Sequence, residues 1–163
     1  MKIAIVLLLL ALAGVYSYGA ITLDAQKANR FLDELESLSL QQKDAEYCAR
    51  MHADLTVTIH DATHDPATEF TGDREQFCGY VAYSMKSVSI LGLSTRVTRE
   101  DFKLERDWWR PWTARVSYRE DRITTLSKLD TTLHTRGEDK LTLVQSWAGP
   151  KLRELDSRSW NAE

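Results

Sequence analysis

The sequence predicts an α+β protein in which helices precede an antiparallel sheet. Apolar residues recur at helical spacing through most of residues 24–92, and at every second position from there to the end. Helices and strands segregated in this way are typical of the α+β class. No repeat or Pro/Gly-rich linker interrupts the chain, and 163 residues suit one domain. We therefore expect a single domain over residues 20–163, after a separate segment over residues 1–19.

The N-terminal segment has the pattern of a secretory signal. One positive charge at Lys2 precedes an apolar run over residues 3–15, with small residues at Ser17 and Gly19. Cleavage after Gly19 would give a secreted or periplasmic protein. The alternative is an uncleaved membrane anchor, because the uncharged run over residues 3–21 approaches the ~20 residues that span a bilayer as a helix.

The first part of the domain contains two predicted helices. Apolar residues at helical spacing, carried by good helix formers, predict a helix from Asp24 to Leu38. A second, shorter helix is expected within residues 39–55, with Ser39 as its cap. Its inner face is expected to hold Ala45, Cys48, Ala49 and either His52 or Met51.

A short hairpin and a third helix follow. Alternation over residues 55–61 predicts a half-buried strand, and residues 67–72 predict a second one after a turn. Asp73, with Gln76 three residues later, has the capping-box pattern that opens a helix, and this helix should end near Gly92.

Four further strands are predicted as an antiparallel meander, with a turn at residues 148–151 before the last one. The inward-facing positions of the first three strands are Phe102, Leu104, Trp112, Ala114, Val116, Tyr118, Leu141 and Leu143.

Charge and cysteine content limit the partners and the compartment. With 21 basic and 24 acidic residues and a formal charge of −3, the chain is a poor nucleic-acid binder, and no motif predicts a cofactor. Cys48 and Cys78 form an even pair in a chain predicted to leave the cytoplasm, where a disulfide is the usual state. A reactive cysteine is the alternative, but neither residue has a nearby His in a recognisable motif.

The order of elements resembles the nuclear transport factor 2-like, or SnoaL-like, superfamily. The resemblance covers residues 24–160 and rests on three stretches, "FLDELESLSLQQKDAEYCARMHADLTVTI", "EFTGDREQF" and "DKLTLVQSWAGPKLRELDSRSW". These are similar to the paired helices, the strand-to-helix transition and the closing hairpin of that superfamily. The resemblance implies a cone of helices on a curved antiparallel sheet, with Cys48 and Cys78 on adjacent helices. It also implies a possible homodimer through the outer face of the sheet.

The same resemblance implies a pocket between the helices and the concave face of the sheet. Its expected lining is Tyr47, Met51, Tyr80, Phe102, Trp112, Ala114 and Tyr118. Such a lining suits an apolar small molecule, although these side chains could equally fill the core. Related isomerases and dehydratases add an acid–base pair. Asp61, Glu100 and Asp156 are the candidate carboxylates, but strand parity places no pair of them on the apolar face.

Two further clusters have competing interpretations. His60, Asp61, His64 and Asp65 could bind a metal, but they lie at a predicted hairpin tip, where such residues are ordinary turn formers. We therefore predict no metal site. In "DWWRPW", residues 107–112, Pro111 suits a turn and Trp112 continues the inward alternation.

Trp108 and Trp109 would point to opposite sides of an extended chain, so at least one of them should be exposed. Together with Arg110 they predict a contact site for a protein partner. Contact with a membrane surface and simple packing are the alternatives.

These observations favour a non-catalytic secreted or periplasmic domain that acts through an aromatic pocket or through the tryptophan-rich hairpin. A cofactor-free isomerase or dehydratase that uses the pocket is the second interpretation. A subunit of an envelope complex, tethered by an uncleaved N-terminal helix, is the third.

Overall fold

The computed structural model describes residues 22–91, 93–126, 128 and 130–162. The predicted signal or anchor segment lies outside these residues. Within them the elements are α1 (Ala25–Leu40), α2 (Asp44–Ala49), β1 (Met51–Ala62), β2 (Thr68–Asp73), α3 (Arg74–Leu91), β3 (Leu93–Glu105), β4 (Thr113–Leu126), β5 (Thr131–Ser146) and β6 (Gly149–Asn161). None of the described helices is both long and apolar enough to cross a bilayer.

The six strands form one curved, unclosed sheet in the order β2-β1-β6-β5-β4-β3. Strands β3 to β6 are the predicted antiparallel meander. β1 pairs with β2 in antiparallel fashion but with β6 in parallel, so the sheet is mixed. The α+β class and the packing of N-terminal helices on a curved sheet are confirmed, with this one parallel pair added.

Helix α1 contributes the largest apolar stripe to the core. Its N-cap is Asp24, whose Oδ1 accepts a hydrogen bond from the Lys27 backbone N at 2.8 Å. The buried residues of α1 recur at helical spacing and are Ala28, Phe31, Leu32, Leu35 and Leu38. All of these except Leu38 join a core cluster that includes residues from α3 and from β1, β4, β5 and β6. Burial of each large side chain stabilises the fold by roughly 1.5–3 kcal/mol.

Helix α2 is shorter than the sequence predicted. It spans only residues 44–49, its N-cap is Lys43, and Ser39 lies inside α1. Met51, expected on the inner face of this helix, is instead the first residue of β1, pairs with Leu152 and is 1% exposed. Pairing with β6 therefore extends the strand four residues before the predicted start, and tertiary context overrides the local helical spacing.

Two predicted local features around α3 are confirmed. The capping box forms reciprocally, because Gln76 N donates to Asp73 Oδ1 and Asp73 N donates to Gln76 Oε1, both at 3.0 Å. Cys48 and Cys78 are joined in a disulfide with a Cα–Cα distance of 5.7 Å, which ties α2 to α3. Tyr47 of α2 also packs against the core, with its ring centroid 6.4 Å from that of Phe77 on α3.

The two ends of the cone differ. Strands β1, β4 and β6 start at one end, where Met51, Ala114 and Leu152 are each 1% exposed, and we call this the closed end. The same three strands finish at the other end, which we call the open end. Leu23, just before α1, lies at the closed end, where its N donates to the Pro111 carbonyl oxygen at 2.9 Å.

Candidate functional site

A cavity of about 570 Å³ lies between the helices and the concave face of the sheet. All three helices contribute to its lining, as do strands β1, β3, β4, β5 and β6. The lining includes Leu40 and Leu133, which are 50% and 48% exposed, so the cavity communicates with solvent at the open end. Its volume falls in the range of small-molecule sites.

The inward face of β4 changes from apolar to polar along the strand. Ala114 and Val116 are buried near the closed end, and the next inward residues are Tyr118, Glu120 and Arg122, which line the cavity. Because side chains two positions apart share one face of a strand, these three form a continuous row.

A bulge in β3 brings the side chains of Arg99 and Phe102 against the ring of Tyr118. Asp101 has a φ of 52°, and the register shift there leaves Asp101 and Phe102 together opposite Tyr118. Without the bulge Arg99 and Phe102, three positions apart, would face opposite sides of the sheet. Instead the Phe102 ring stacks on Tyr118 at a centroid distance of 6.4 Å, and the Arg99 guanidinium lies 5.9 Å from the Tyr118 centroid.

The Glu120 carboxylate is largely shielded from solvent. Its side chain is 13% exposed, and its Oε1 lies 2.5 Å from an Arg122 Nη atom. The residue opposite it on β5 is Gly137, which also lines the cavity and has no side chain to cover Glu120. Burial raises the pKa of Glu120 above its ordinary value, and the nearby Asp139 charge adds to this effect against the opposing charge of Arg122.

Two phenols line the same cavity as this carboxylate. Burial raises the pKa of Tyr118 far above its ordinary value, and the charge of its cross-strand neighbour Asp139 and a hydrogen bond to it act in the same direction. Burial also raises the pKa of Tyr47 to about 12, and its phenol interacts with the charges of Arg122 and Asp139. Both tyrosines are therefore protonated hydrogen-bond donors at neutral pH. We call Tyr47, Tyr118, Glu120, Arg122 and Asp139 the polar cluster.

Arg99 connects the cavity wall to α1. One Nη atom donates to Asp33 at 2.6 Å and the other to Glu36 at 2.8 Å, while the Arg99 side chain is only 17% exposed. These ion pairs hold α1 against β3 beside Tyr118. They also mean that the positive charge of Arg99 is already paired with carboxylates of the protein.

The three carboxylates proposed from the sequence have different positions. Asp61 lines the cavity; partial burial raises its pKa, but hydrogen bonds from Thr63 and Ser159 outweigh this effect and hold the pKa below its usual value. The Asp61 carboxylate is therefore ionised, and it already accepts hydrogen bonds from other residues of the protein. Glu100 is exposed, and Asp156 lines a groove on the outer face of the sheet.

The residues predicted to line the pocket divide into two groups. Tyr47, Tyr80 and Tyr118 do line the cavity. Met51 and Ala114 lie in the core toward the closed end, and Phe102 packs behind Tyr118. Trp112 is 43% exposed, so its predicted place in the inward row is wrong. Strand β4 begins only at Thr113, and Trp112 belongs to the preceding turn.

The polar cluster contains three residues that the sequence interpretation missed, Glu120, Arg122 and Asp139. Glu120 and Arg122 continue the alternation that identified Tyr118, and Asp139 precedes Leu141 and Leu143 by the same step of two. Strand parity was thus a sufficient signal, but the predicted inward rows stopped where the apolar residues stop.

The tryptophan-rich segment forms two successive turns between β3 and β4. Arg110 N donates to the Asp107 carbonyl oxygen, and Thr113 N donates to that of Arg110, both at 3.0 Å. Trp108 and Trp109 are both exposed, and the Arg110 guanidinium lies 4.3 Å from the Trp109 ring centroid. The predicted exposure of at least one tryptophan is confirmed; whether this segment contacts a partner stays a prediction.

The histidine-rich hairpin does not assemble a metal-binding group among the described residues. His60 Nδ1 lies 3.8 Å from Glu69, and His64 Nδ1 lies 3.6 Å from Asp61. These are separate two-residue contacts near the tip of the β1–β2 hairpin.

Comparison with solved structures identifies the fold. The beta subunit of benzoate 1,2-dioxygenase from Burkholderia mallei superposes with a TM-score of 0.65 at 14% identity, over 86% of this chain and 92% of that one. An NTF2-like protein with a cystatin-like fold from Novosphingobium aromaticivorans gives 0.61 at 8% identity, over 86% and 82%. The chain has the nuclear transport factor 2-like fold. A Streptomyces avermitilis member of the NTF2-like family, named as a candidate dehydratase, gives 0.62 at 11% identity, over 86% and 96%.

No protein-family profile and no curated protein matches the sequence. At identities of 8–14% the structural similarity shows the fold alone.

The outer face of this nuclear transport factor 2-like sheet is polar. A groove there is lined by charged residues of both signs, among them Arg115, Lys140, Glu154 and Asp156. Homodimerisation through this face, which the resemblance implied, stays a prediction.

Proposed function

We propose that the cavity binds a small ring compound and recognises it through a carbonyl or hydroxyl oxygen. The observation that carries the proposal is the Tyr47 phenol. It lines the cavity as a protonated donor, and no hydrogen-bond partner for its hydroxyl occurs among the residues that the structure describes. The hydroxyl is accessible from the cavity, so a ligand oxygen there can accept its hydrogen bond.

The rest of the cavity suits an apolar ring. Its helical walls present Leu32, Leu35, Phe77, Val81 and Met85, whereas the charged groups gather on the strands opposite. A ring would contact the helical side, while its oxygen would face the polar cluster. Apolar walls with a few convergent polar groups are the usual composition of a small-molecule site.

The disulfide supports a location outside the cytoplasm, because cytosolic thiols are normally kept reduced. We therefore include a location outside the cytoplasm in the proposal.

Binding can be tested with 1-tetralone, a bicyclic ketone, and with tetralin, the same ring system without the oxygen. By calorimetry we expect the ketone to bind about fivefold more tightly, since one net hydrogen bond contributes about 1 kcal/mol. Tyr47→Phe should remove the difference. Tyr83→Phe, at an exposed tyrosine of α3, is the matched control and should preserve it. Equal affinities of the wild type for the two compounds would contradict oxygen recognition.

Proton-transfer catalysis is a second candidate, and Glu120 is the observation in its favour. A buried carboxylate with a raised pKa is the group that isomerases and dehydratases use as base or acid. Glu120 would take a proton from the carbon next to a carbonyl, the electron pair would form an enolate, and Tyr47 would donate a hydrogen bond to the enolate oxygen. Return of the proton to carbon completes the cycle. A candidate dehydratase among the structural neighbours supports this reading without assigning it.

Deuterium incorporation at C2 of 1-tetralone in D₂O, followed by nuclear magnetic resonance, tests the second candidate. The wild type should exceed the buffer rate, and Glu120→Gln should return the rate to that of buffer. Glu138→Gln, on the exposed side of β5, should leave the wild-type rate unchanged. A buffer-level rate with the wild type, while the ketone is bound, would leave binding as the function of the cavity.

A further inference from the structure

Four of the five tryptophans are exposed at the closed end of the cone. Trp108, Trp109 and Trp112 belong to the β3–β4 turns, and Trp147 belongs to the β5–β6 turn. Trp108 is 86% exposed and Trp147 is fully exposed. We call these four residues the tryptophan face.

The two turns are neighbours in space. β4 and β5 are paired, with Thr113 opposite Val144, and Gln145 N donates to the Trp112 carbonyl oxygen at 2.7 Å. The hydrogen bond joins the turn that carries Trp112 to the end of β5, two residues before Trp147. The tryptophan face is therefore one surface carried by adjacent hairpins, although the residues are up to 39 positions apart in the chain.

The first residues that the structure describes lie at this same surface. Leu23 N donates to the Pro111 carbonyl oxygen at 2.9 Å, and an Arg106 Nη donates to the Leu23 carbonyl oxygen at 2.9 Å. Leu23 is fully buried. Leu23 is thus held against the tryptophan turn only two positions beyond residues 3–21.

We propose that the closed end docks on a lipid bilayer, with the tryptophan face in the interfacial layer and residues 3–21 as an uncleaved tether in the membrane. Nineteen helical residues would extend about 28 Å, against a hydrocarbon core of about 30 Å. Tryptophan is enriched at this interface because its ring is apolar and its indole N–H remains close to water.

Charge on both sides of the tether fits this arrangement. Lys2 precedes the segment, and a positive charge on that side favours a cytoplasmic N-terminus with the domain on the opposite side. Beyond the tether, Arg106 and Arg110 lie in the tryptophan turn, where lipid phosphates would be within reach.

The docking proposal is independent of the ligand proposal but fixes an orientation for it. Since the cavity opens at the opposite end of the cone, its entrance would face away from the bilayer. The fifth tryptophan provides an internal reference, because Trp160 lies beside Ala62 at the open end.

The test uses the full chain reconstituted in phosphatidylcholine vesicles that contain brominated lipid, which quenches tryptophan fluorescence at short range. We expect quenching of the wild type. Trp160→Phe should leave the quenched intensity unchanged, because the residue it removes is remote from the lipid. The double variant Trp108→Phe/Trp147→Phe should lose about half of the quenched intensity, since it removes two of the four residues of the tryptophan face.

Other results would overturn the proposal. Quenching of Trp160 to the same extent as the others would mean that the tether holds the domain in no fixed orientation. Unquenched turn tryptophans on a vesicle-bound chain would assign the tryptophan face to a protein partner instead.

In cells, the intact mass of the chain should include residues 1–21, and a product that begins at Ala20 in every fraction would exclude the tether. Trp108→Phe alone, at the most exposed of the turn positions, provides a second variant that leaves packing unchanged.

Discussion

Glu120 owes its properties to its neighbours on two paired strands. It is inward-facing on β4, opposite a glycine on β5, and it shares the polar cluster with Arg122 and Asp139. Because its folded-state pKa is raised, the folded protein binds the Glu120 proton more tightly than the unfolded chain does. The stabilisation is fully present below the unfolded pKa and is lost as the pH rises through the folded-state pKa.

Glu120→Gln should remove this pH dependence. The model-compound pKa of the group is 4.5, so the free energy of unfolding of the variant, relative to wild type, should increase as the pH is raised from below 4.5 toward 7. Urea unfolding at several pH values measures this difference. Glu138→Gln, at an exposed position, should show no such trend, and a flat difference for Glu120→Gln would contradict the raised pKa.

At the level of elements, Arg99 is the main polar link between α1 and the sheet at the cavity wall. Its guanidinium bonds Asp33 and Glu36 and faces the Tyr118 ring. We expect Arg99→Gln to lower the free energy of unfolding by about 2 kcal/mol, because charge-assisted hydrogen bonds in a partly buried site are lost. Arg96→Gln, at an exposed position of the same strand, should change it by less than about 0.5 kcal/mol. Equal losses in the two variants would contradict this role.

The disulfide is the other link between elements. It closes a loop whose ends are 30 positions apart, so the double variant Cys48→Ser/Cys78→Ser should lose about 3 to 4 kcal/mol in the chain-entropy model. Chemical unfolding of the oxidised wild type and the variant measures the loss. Reduced wild type is the control and should match the variant; a loss below about 1 kcal/mol would show that α2 is held by other contacts.

The elements also show how far the sequence could predict the site. Alternation alone located the inward residues of β4 from Ala114 to Tyr118, and the same alternation extends to Arg122 because the strand is regular over this stretch. It could not locate Arg99 together with Phe102, because the bulge at Asp101 changes parity within β3. Nor could it start β1 at Met51, where a parallel partner from the far end of the chain decides the structure.

At the scale of the whole molecule, the two ends of the cone have separate chemistry. The closed end carries the entering N-terminal chain and the tryptophan face, and the open end carries the entrance to the cavity. The polar cluster lies between them, on the concave face of the sheet. The nuclear transport factor 2-like fold thus keeps the proposed ligand site and the proposed docking surface apart on one small domain.

Contacts between bound 1-tetralone and the protein test the central claim most directly. With isotope-labelled protein, we predict intermolecular nuclear Overhauser effects from the ketone to the ring protons of Tyr47 and Tyr118 and to the methyl groups of Leu35 and Met85, which line the helical side of the cavity. Effects confined to the rings of Trp108 and Trp147, with none to either tyrosine, would contradict it and would assign ligand binding to the tryptophan face.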